Sequence, residues 1–169
     1  MVMMAREPSP ATLPVAPRPV AQDMAGVAAR ISGGYILRTY QLMAQETDGD
    51  LILSLIFRAI IAANVDHLDK NLAAGPQYCG ADDLPPDNLR RPVSVLAIAD
   101  SLGLSYETVR RHVLKLMDSG RCVRVKGGVV VPVSALRGED HQRTMQVNLT
   151  NLRRLFRSLK LAGVDLGDE

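Results

Sequence analysis

Two adjacent arginines, Arg110 and Arg111, are the side chains in this 169-residue chain that are best suited to bind a ligand. A guanidinium group presents its N–H donors as a rigid fork, which can satisfy two acceptors on the edge of a guanine or on a phosphate. Ser105 and Glu107, which come just before the pair, are residue types that favour the first turn of a helix. Taken alone, such a pair on the outward face of a helix favours an ordinary solvated surface. Together with the turn and the basic hairpin described below, it favours a surface that binds a polyanion.

The rest of the chain lacks the residue spacings that catalysis or metal binding would require. It contains no Ser/His/Asp or Cys/His arrangement, carboxylate pair, P-loop or dinucleotide fingerprint, so we expect no enzymatic activity and no cofactor. His67 and His141 have no companion at ligand spacing, which argues against a metal site. Cys79 and Cys122 form no disulfide framework, and reduced thiols are expected in a cytoplasmic protein.

The arginine pair lies in a stretch whose pattern predicts two short helices joined by a tight turn. Gly103 can adopt the positive φ that such a turn needs, and Ala99 is small enough for the two helices to cross closely. Val109 supplies an apolar anchor for the second helix. The other predicted core positions of this unit are Ile98, Leu102, Leu104, Val113 and Leu116.

A short β-hairpin is predicted directly after the second helix. Residues 122–126 and 129–131 read as strands on either side of Gly127 and Gly128, which together are a strong two-residue turn signal. Arg124 and Lys126 are expected to project from one face near the tip of this hairpin. Cations in that position can lie along phosphates or in a minor groove.

Residues 90–133 resemble the winged helix-turn-helix domains of bacterial transcription regulators of the GntR, MarR and IclR groups. The resemblance rests on IADSLGLSYETVRRHVLKLMDSG followed by a KGG-tipped hairpin. It implies a homodimer that reads a palindromic operator on double-stranded DNA, often with repression relieved by a small-molecule effector. The residues that correspond to the DNA-contacting recognition helix and wing are Ser105, Tyr106, Glu107, Thr108, Arg110, Arg111, Arg124 and Lys126. Lys115 is expected to contact phosphate or to be solvated.

Five segments are expected along the chain. They are a disordered proline-rich tail over 1–20, a helical dimerisation or effector region over 21–75, a connecting loop over 76–92, the winged helix-turn-helix over 93–133, and a C-terminal dimerisation helix with its tail over 134–169. The predicted fold class is therefore mainly α with a small β wing, and helices flank the winged unit on both sides.

Residue types at the ends of the helices predict where each one begins. The first is expected to run from a cap at Asp23 to about Gln45, and Thr47 is expected to cap the second. The apolar run Leu51–Val65 is too short to span a bilayer and carries Arg58, so it predicts a buried helix and no membrane association.

The flanking helices also carry candidate interaction residues. Apolar residues spaced by four and three along the last helix predict a dimer interface, formed by Met145, Leu149, Leu152, Phe156 and Leu159. Tyr35, Tyr40 and Phe57 either line an effector pocket or belong to an ordinary core.

Charge is distributed unevenly along the chain. Residues 90–160 contain fourteen basic and five acidic residues, a net charge of +9, whereas the residues before them carry −4 and the tail after them −3. This asymmetry favours a polyanion as the partner of the second half. Two alternatives stay open: a winged helix that contacts another protein through the apolar first-half helices, and a DNA-associated factor without sequence preference.

Overall fold

A computed structural model describes residues 24–69, 78 and 83–164 of the chain. These residues form a mainly helical fold with one two-stranded antiparallel sheet, which confirms the prediction at that level. The predicted tail over 1–20 and much of the predicted loop over 76–92 lie outside the described residues. The elements in chain order are α1 (Ala25–Glu46), α2 (Leu51–Asp69), α3 (Val95–Leu102), α4 (Tyr106–Asp118), β1 (Val123–Val125), β2 (Gly128–Val130) and α5 (Glu139–Leu161), with 3-10 turns at Asp87–Leu89 and Val133–Leu136.

The apolar helix α2 lies at the centre of the core. Ile56 and Ile60 are completely buried, and α2 contacts α3, α4 and β2. Because α2 extends to Asp69, its segment 51–68 is long and apolar enough to cross a membrane by length and composition alone. One side of the segment supplies core residues that pack with Ile98, Ala99, Val109, Val113, Leu116, Val129 and Val131. Leu51, Ile52 and Leu55 on the other side are exposed, so the prediction of a buried helix was wrong for that side.

Asn64 joins α2 to the sheet through its buried side-chain amide. Its Nδ2 donates to the carbonyl oxygens of Arg91 at 2.7 Å and Val129 at 3.2 Å, and its Oδ1 accepts from the N–H of Val131 at 2.9 Å. A buried amide must find such partners inside the protein, because an unpaired polar group is costly to remove from water. The side chain therefore fixes where β2 and the segment before α3 lie relative to α2.

The β-hairpin turns one residue earlier than the sequence predicted. Val125 pairs with Gly128, so Lys126 and Gly127 form the two-residue turn, and Gly128 belongs to β2. Val93 and Val129 exchange two backbone hydrogen bonds, from Val93 N–H to the Val129 carbonyl oxygen at 3.1 Å and from Val129 N–H to the Val93 carbonyl oxygen at 2.9 Å. Val93 thereby extends the sheet. A Cβ at Gly128 would overlap the carbonyl of Val93, so this glycine is needed for close approach in the strand rather than for the turn.

The α3–turn–α4 unit follows the predicted local rules. Ser94 and Ser105 each accept a hydrogen bond from the backbone N–H three residues later and so begin α3 and α4. Gly103 ends α3 in the left-handed conformation, with φ of 63°. Ala99 and Val109 are buried where the two helices cross, as predicted.

Helices α1 and α5 lie side by side in opposite directions. The end of α1, at Leu42 and Glu46, shares a cleft with the beginning of α5, and the Tyr35 hydroxyl donates to Asn148 Oδ1 at 3.2 Å further along. α1 is the main neighbour of α5 in the described part of the chain. We call residues 25–42 of α1 together with 145–161 of α5 the two-helix arm.

One predicted helix cap was wrong, and the other, Asp23, lies outside the described residues. The residue directly before α1 is Met24, which makes no side-chain cap. Asp50 caps α2, because its side chain accepts a hydrogen bond from the N–H of Leu53 at 2.9 Å. The Thr47 hydroxyl instead donates to the carbonyl oxygens of Met43 and Asp50. Thr47 is buried and stabilises the connection between the helices instead of starting the second one.

Replacing Asn64 with alanine should destabilise the whole fold. The substitution leaves buried backbone groups of Val129 and Val131 with fewer partners, at about 1–3 kcal/mol for each group left unsatisfied. We expect the free energy of unfolding, measured by urea denaturation, to fall by about 2–4 kcal/mol. Asn88→Ala, at an exposed position, is the matched control and should change it by less than about 0.5 kcal/mol. Equal losses in the two variants would contradict the role of Asn64.

Candidate nucleic-acid interface

The outward face of α4 carries an ion pair that the sequence did not predict. Arg110 Nε lies 2.7 Å from Glu107 Oε2, and Arg110 Nη2 lies 2.8 Å from Glu107 Oε1. This hydrogen bonding to Arg110 lowers the pKa of Glu107, and the same contact raises the pKa of Arg110. The Nε/Nη2 edge of Arg110 is therefore occupied within the helix, whereas Nη1 takes no part in this pair.

Arg111 is the exposed arginine of the pair and has no hydrogen bond or ion pair within the described residues. Tyr106 at the beginning of α4 is also exposed. Arg111 and Tyr106 thus combine cationic donors with an amphipathic ring on the solvent side of the helix. Of these two arginines, Arg111 is the one whose whole guanidinium group is available to a ligand without first breaking an ion pair.

Ser105 and Thr108 hold the beginning of α4 in place. The Ser105 hydroxyl accepts from the N–H of Thr108 at 3.1 Å, and the two hydroxyl oxygens are 2.8 Å apart. Both side chains were predicted to lie at the interface, and both take part in helix capping. They orient the first turn of α4, whose backbone N–H groups favour anions.

Lys115 and His112 are joined to α2 through Asp50. Lys115 Nζ lies 3.1 Å from Asp50 Oδ2, and His112 Nε2 lies 3.6 Å from Asp50 Oδ1. His112 Nδ1 also lies 2.7 Å from the Thr108 carbonyl oxygen, so the imidazole bridges two elements. Lys115, predicted to contact phosphate or to be solvated, thus has a partner in the protein that a phosphate would need to replace.

The hairpin presents its cations to solvent. Arg124 and Lys126 are both exposed, and neither has an ion pair within the described residues. Arg124 lies opposite Val129 in the ladder, and Lys126 is in the turn. A short turn between paired strands keeps the Lys126 backbone in place, so the tip can offer cations at a defined position.

Some basic residues of the second half do not face solvent. The Arg90 side chain is buried near Asp87, at 3.7 Å between Arg90 Nε and Asp87 Oδ1, and burial lowers the pKa of Arg90. Arg121 donates to the Glu46 carbonyl oxygen at 3.2 Å and lies 5.8 Å above the Phe57 ring. The net charge of +9 over residues 90–160 therefore overstates what a polyanion would meet.

The three candidate effector residues do not come together. Phe57 lines a cleft of about 830 Å³ beside Arg121, His141 and Arg143. The Tyr35 hydroxyl instead donates a hydrogen bond to Asn148 Oδ1 in the arm, and Tyr40 is exposed on the outer side of α1. The sequence did not single out Arg121 or Arg143 as cleft residues, because nothing in their spacing places them near Phe57.

The predicted dimer seam on α5 is divided between buried and exposed positions. Leu159 is buried, and Met145 and Leu152 are partly buried, in the single chain. Leu149 and Phe156 remain exposed. The helix therefore has only part of this seam to offer to another molecule.

No protein-family model matches this chain, and it has no significant match among curated proteins or solved structures. The residues themselves are thus the basis for any functional conclusion. Within the described ranges, no three His, Cys, Asp or Glu side chains converge as a metal site would require.

Removing the charge of Asp50 should change how stability depends on pH. The N–H of Leu53, and then Lys115, hold the pKa of Asp50 below its ordinary value of 3.8. A carboxyl whose pKa is lowered by folding stabilises the native state above its unfolded pKa, and this stabilisation is lost as pH falls through the folded pKa. Asp50→Asn keeps an oxygen for the cap but loses the charge.

We therefore expect Asp50→Asn to lower the free energy of unfolding near neutral pH, with the difference from wild type shrinking as pH falls below about 4. Denaturation curves at several pH values measure it. Asp118→Asn, at an exposed position at the end of α4, is the control. A difference that stays constant down to the acid limb would argue against the contribution of Asp50.

Proposed function

We propose that this protein is a winged helix-turn-helix regulator that binds double-stranded DNA sequence-specifically as a homodimer. The observation that carries the proposal is the outward face of α4, where Arg111 and Tyr106 are exposed on a helix anchored by buried Val109 and Val113. A helix held in this way can enter a major groove with its side chains directed at base edges.

The β1–β2 hairpin supports the same proposal. It follows α4 after a single turn at Gly120, and its exposed Arg124 and Lys126 have the chemistry of a wing that contacts phosphates. Recognition by α4 would supply base specificity, and the hairpin would supply affinity that depends on salt. The protein would act in the cytoplasm as a transcription regulator without enzymatic activity, and the cleft beside Phe57 is the place where a small-molecule effector would act.

The ion pair between Glu107 and Arg110 supports different roles for the two arginines in this proposal. Arg111 would read a base, whereas Glu107 would hold Arg110 until contact with DNA releases it or uses its remaining Nη1 for a phosphate. An arginine that donates two hydrogen bonds to guanine contributes about 1–3 kcal/mol of discrimination. Glu107 would thus position Arg110 rather than touch the DNA.

A duplex library with randomised sequence, selected at two salt concentrations, tests the proposal. An enriched inverted repeat, bound more weakly as salt rises, is the expected result for a dimer that reads its site. Salt-sensitive binding without an enriched sequence would instead indicate a DNA-associated factor without sequence preference. No binding at either salt concentration would refute the proposed function.

On the selected site, Arg111→Ala should lose about 10- to 100-fold of the preference over random duplex while the fold is retained. Competition binding at fixed salt measures the preference. Glu107→Gln should change the preference less, because it releases Arg110 without removing a base contact. Arg154→Ala, at an exposed position on α5, is the matched control and should leave the preference unchanged. The base-reading role of Arg111 would be lost if the two alanine variants behaved alike.

For the homodimer we propose the outer face of α1 as the interface. Leu37 is 65% exposed and Tyr40 53% exposed, and Ile36 lies beside them on the same side of the helix. A Cβ at Gly33, on this face, would meet no other atom within 4 Å, so a second helix has room to approach closely. Ile36, Leu37 and Tyr40 are uncharged, and Arg30 follows on the same face one turn before Gly33. An antiparallel contact centred on Leu37 would keep the two copies of Arg30 apart, so two copies can meet across a two-fold axis without these charges opposing each other.

Leu37→Glu should convert the dimer to a monomer because it places two carboxylates at the symmetric contact. Sedimentation velocity at micromolar concentration reads out the mass directly. Gln45→Glu adds the same charge at an exposed position of α1 that lines the cleft with α5 instead of the outer face, and should leave the dimer intact. A wild-type protein that sediments as a monomer would refute the homodimer while leaving DNA binding to its own test.

A further inference from the structure

One edge of α5 combines exposed apolar residues with cations at heptad spacing. If the apolar residues take positions a and d of a heptad, Leu149 and Phe156 are at a, and Gln146, Arg153 and Lys160 are at e. We call these five residues the a/e edge. Positions a and e are neighbours on a helix surface, so the five side chains form one continuous strip.

Burial within the single chain leaves this edge exposed. At the d positions, Leu159 is buried and Leu152 is partly buried, in a helix whose main neighbour is α1. At the a positions, in contrast, Leu149 is 41% exposed and Phe156 is 54% exposed. The d side of the seam is thus used inside the protein, and the a side is not.

The charge of the arm has a single sign. Residues 25–42 and 145–161 contain six basic residues, which are Arg30, Arg38, Arg153, Arg154, Arg157 and Lys160, and no Asp or Glu. Arg153 and Lys160 on the a/e edge are exposed, and neither forms an ion pair within the described residues. An apolar strip bordered by cations without counter-charges is complementary to an apolar strip bordered by carboxylates.

We propose that the a/e edge of α5 docks an acidic amphipathic helix of a partner protein. Apolar side chains of that helix would cover Leu149 and Phe156, and its Glu or Asp residues would pair with Arg153 and Lys160. In helix pairing the apolar seam supplies most of the affinity, whereas the flanking charges select the partner and its orientation. Phe156, a large exposed aromatic in the middle of the strip, is the expected anchor.

A second copy of α5 fits this edge poorly. In an antiparallel pair of identical helices the e positions face each other, so Arg153 and Lys160 would oppose cations of the other copy. On the outer face of α1, Ile36, Leu37 and Tyr40 carry no charge, and an antiparallel pair centred on Leu37 would keep the two copies of Arg30 apart. The two faces of the arm are therefore suited to different partners.

Membrane and nucleic-acid surfaces also fit less well than an acidic helix. A helix that lies in a bilayer interface uses a broad apolar face, but here α5 turns its d residues inward and exposes a narrow strip. Phosphate contacts use cations and hydrogen-bond donors, and covering Phe156 with a phosphate backbone would gain nothing.

The test uses the full chain and a synthetic helix of about three heptads with Leu at a and d and Glu at e and g. Like charges keep this peptide from associating with itself. We expect it to bind wild-type protein with a dissociation constant in the micromolar range, measured by fluorescence anisotropy at physiological salt. A peptide with Lys in place of Glu should bind at least about tenfold more weakly.

Variants of α5 locate the binding. The double variant Arg153→Glu/Lys160→Glu should bind the Glu peptide at least about tenfold more weakly and the Lys peptide more tightly than wild type does. Phe156→Ser should bind both peptides more weakly. Arg154→Glu combined with Arg157→Glu makes the same change of charge away from the edge and should affect the Glu peptide about threefold at most. Circular dichroism verifies that each variant is folded.

Three results would overturn the proposal. The first is no binding of the Glu peptide by the folded wild-type protein. The second is an equal loss of binding in the two double charge variants, which would show attraction to net charge without a docking edge. The third concerns anionic phospholipid vesicles and duplex DNA. The proposal fails if wild-type protein binds either of them, the Arg153→Glu/Lys160→Glu variant loses that binding, and the Glu peptide does not compete for it. Because no arm of this test depends on α4, it is independent of the outcome of the DNA selection.

Discussion

The buried amide of Asn64 is the constraint on which the arrangement of the second half depends. Burying an amide is unfavourable unless each of its groups is paired, and Asn64 finds its partners only where Arg91, Val129 and Val131 bring their backbones to α2. The apolar contacts of Ile56 and Ile60 supply most of the burial, but they are not directional. The hydrogen bonds of Asn64 add direction, so α2 and β2 have one relative position. The segment that leads into α3 is held by the same bonds, and through α3 the orientation of α4 follows.

Charges on the proposed DNA-binding face are organised by pairing within the protein. Glu107 engages Arg110 on α4 itself, and Asp50 at the start of α2 engages Lys115 and His112. These contacts leave Arg111, Arg124 and Lys126 as the cations that are exposed without an ion pair in the described part of this face. Exposed ion pairs contribute little to stability, so their main consequence here is to decide which cations can meet a ligand at once.

In the two-helix arm, too, the residues that remain exposed decide which partner each face can bind, and here the proposed partners are proteins. The outer face of α1 presents the uncharged Ile36, Leu37 and Tyr40, which suit a symmetric contact. The a/e edge of α5 is apolar and cationic, which suits an acidic partner. A regulator with both faces would hold a second copy on one side and a different protein on the other. Close to the arm, the cleft beside Phe57 is lined by residues from α1, α2 and α5 and by Arg121, which follows α4. A ligand in that cleft would touch the arm and the end of the proposed recognition helix together.

Local rules of the chain were sufficient for the α3–turn–α4 unit. Gly103 was predicted at the turn because it tolerates positive φ, and Ser105 was predicted as a cap because its hydroxyl can accept a backbone N–H; both predictions are confirmed. The amphipathic span of α5 was also predictable, because helical periodicity is a property of the sequence itself. The predicted burial of the 51–65 run holds for one side of α2 only, since Ile56 and Ile60 are buried whereas Leu51, Ile52 and Leu55 are exposed.

Contacts between distant residues decided the rest. The turn is at Lys126–Gly127, and Gly128 lies in β2 against the Val93 carbonyl, 35 positions earlier in the chain, where a Cβ would overlap that carbonyl. Asp50 pairs with Lys115 because tertiary packing places the start of α2 beside α4. Leu159 is buried within the single chain, so it is not available to a second molecule. Spacing shows which face of a helix a residue occupies but not which element covers that face. The sequence by itself therefore determined the helices, their local caps around Gly103 and the supply of cations, whereas only the tertiary structure decided which of those cations and apolar residues remain exposed.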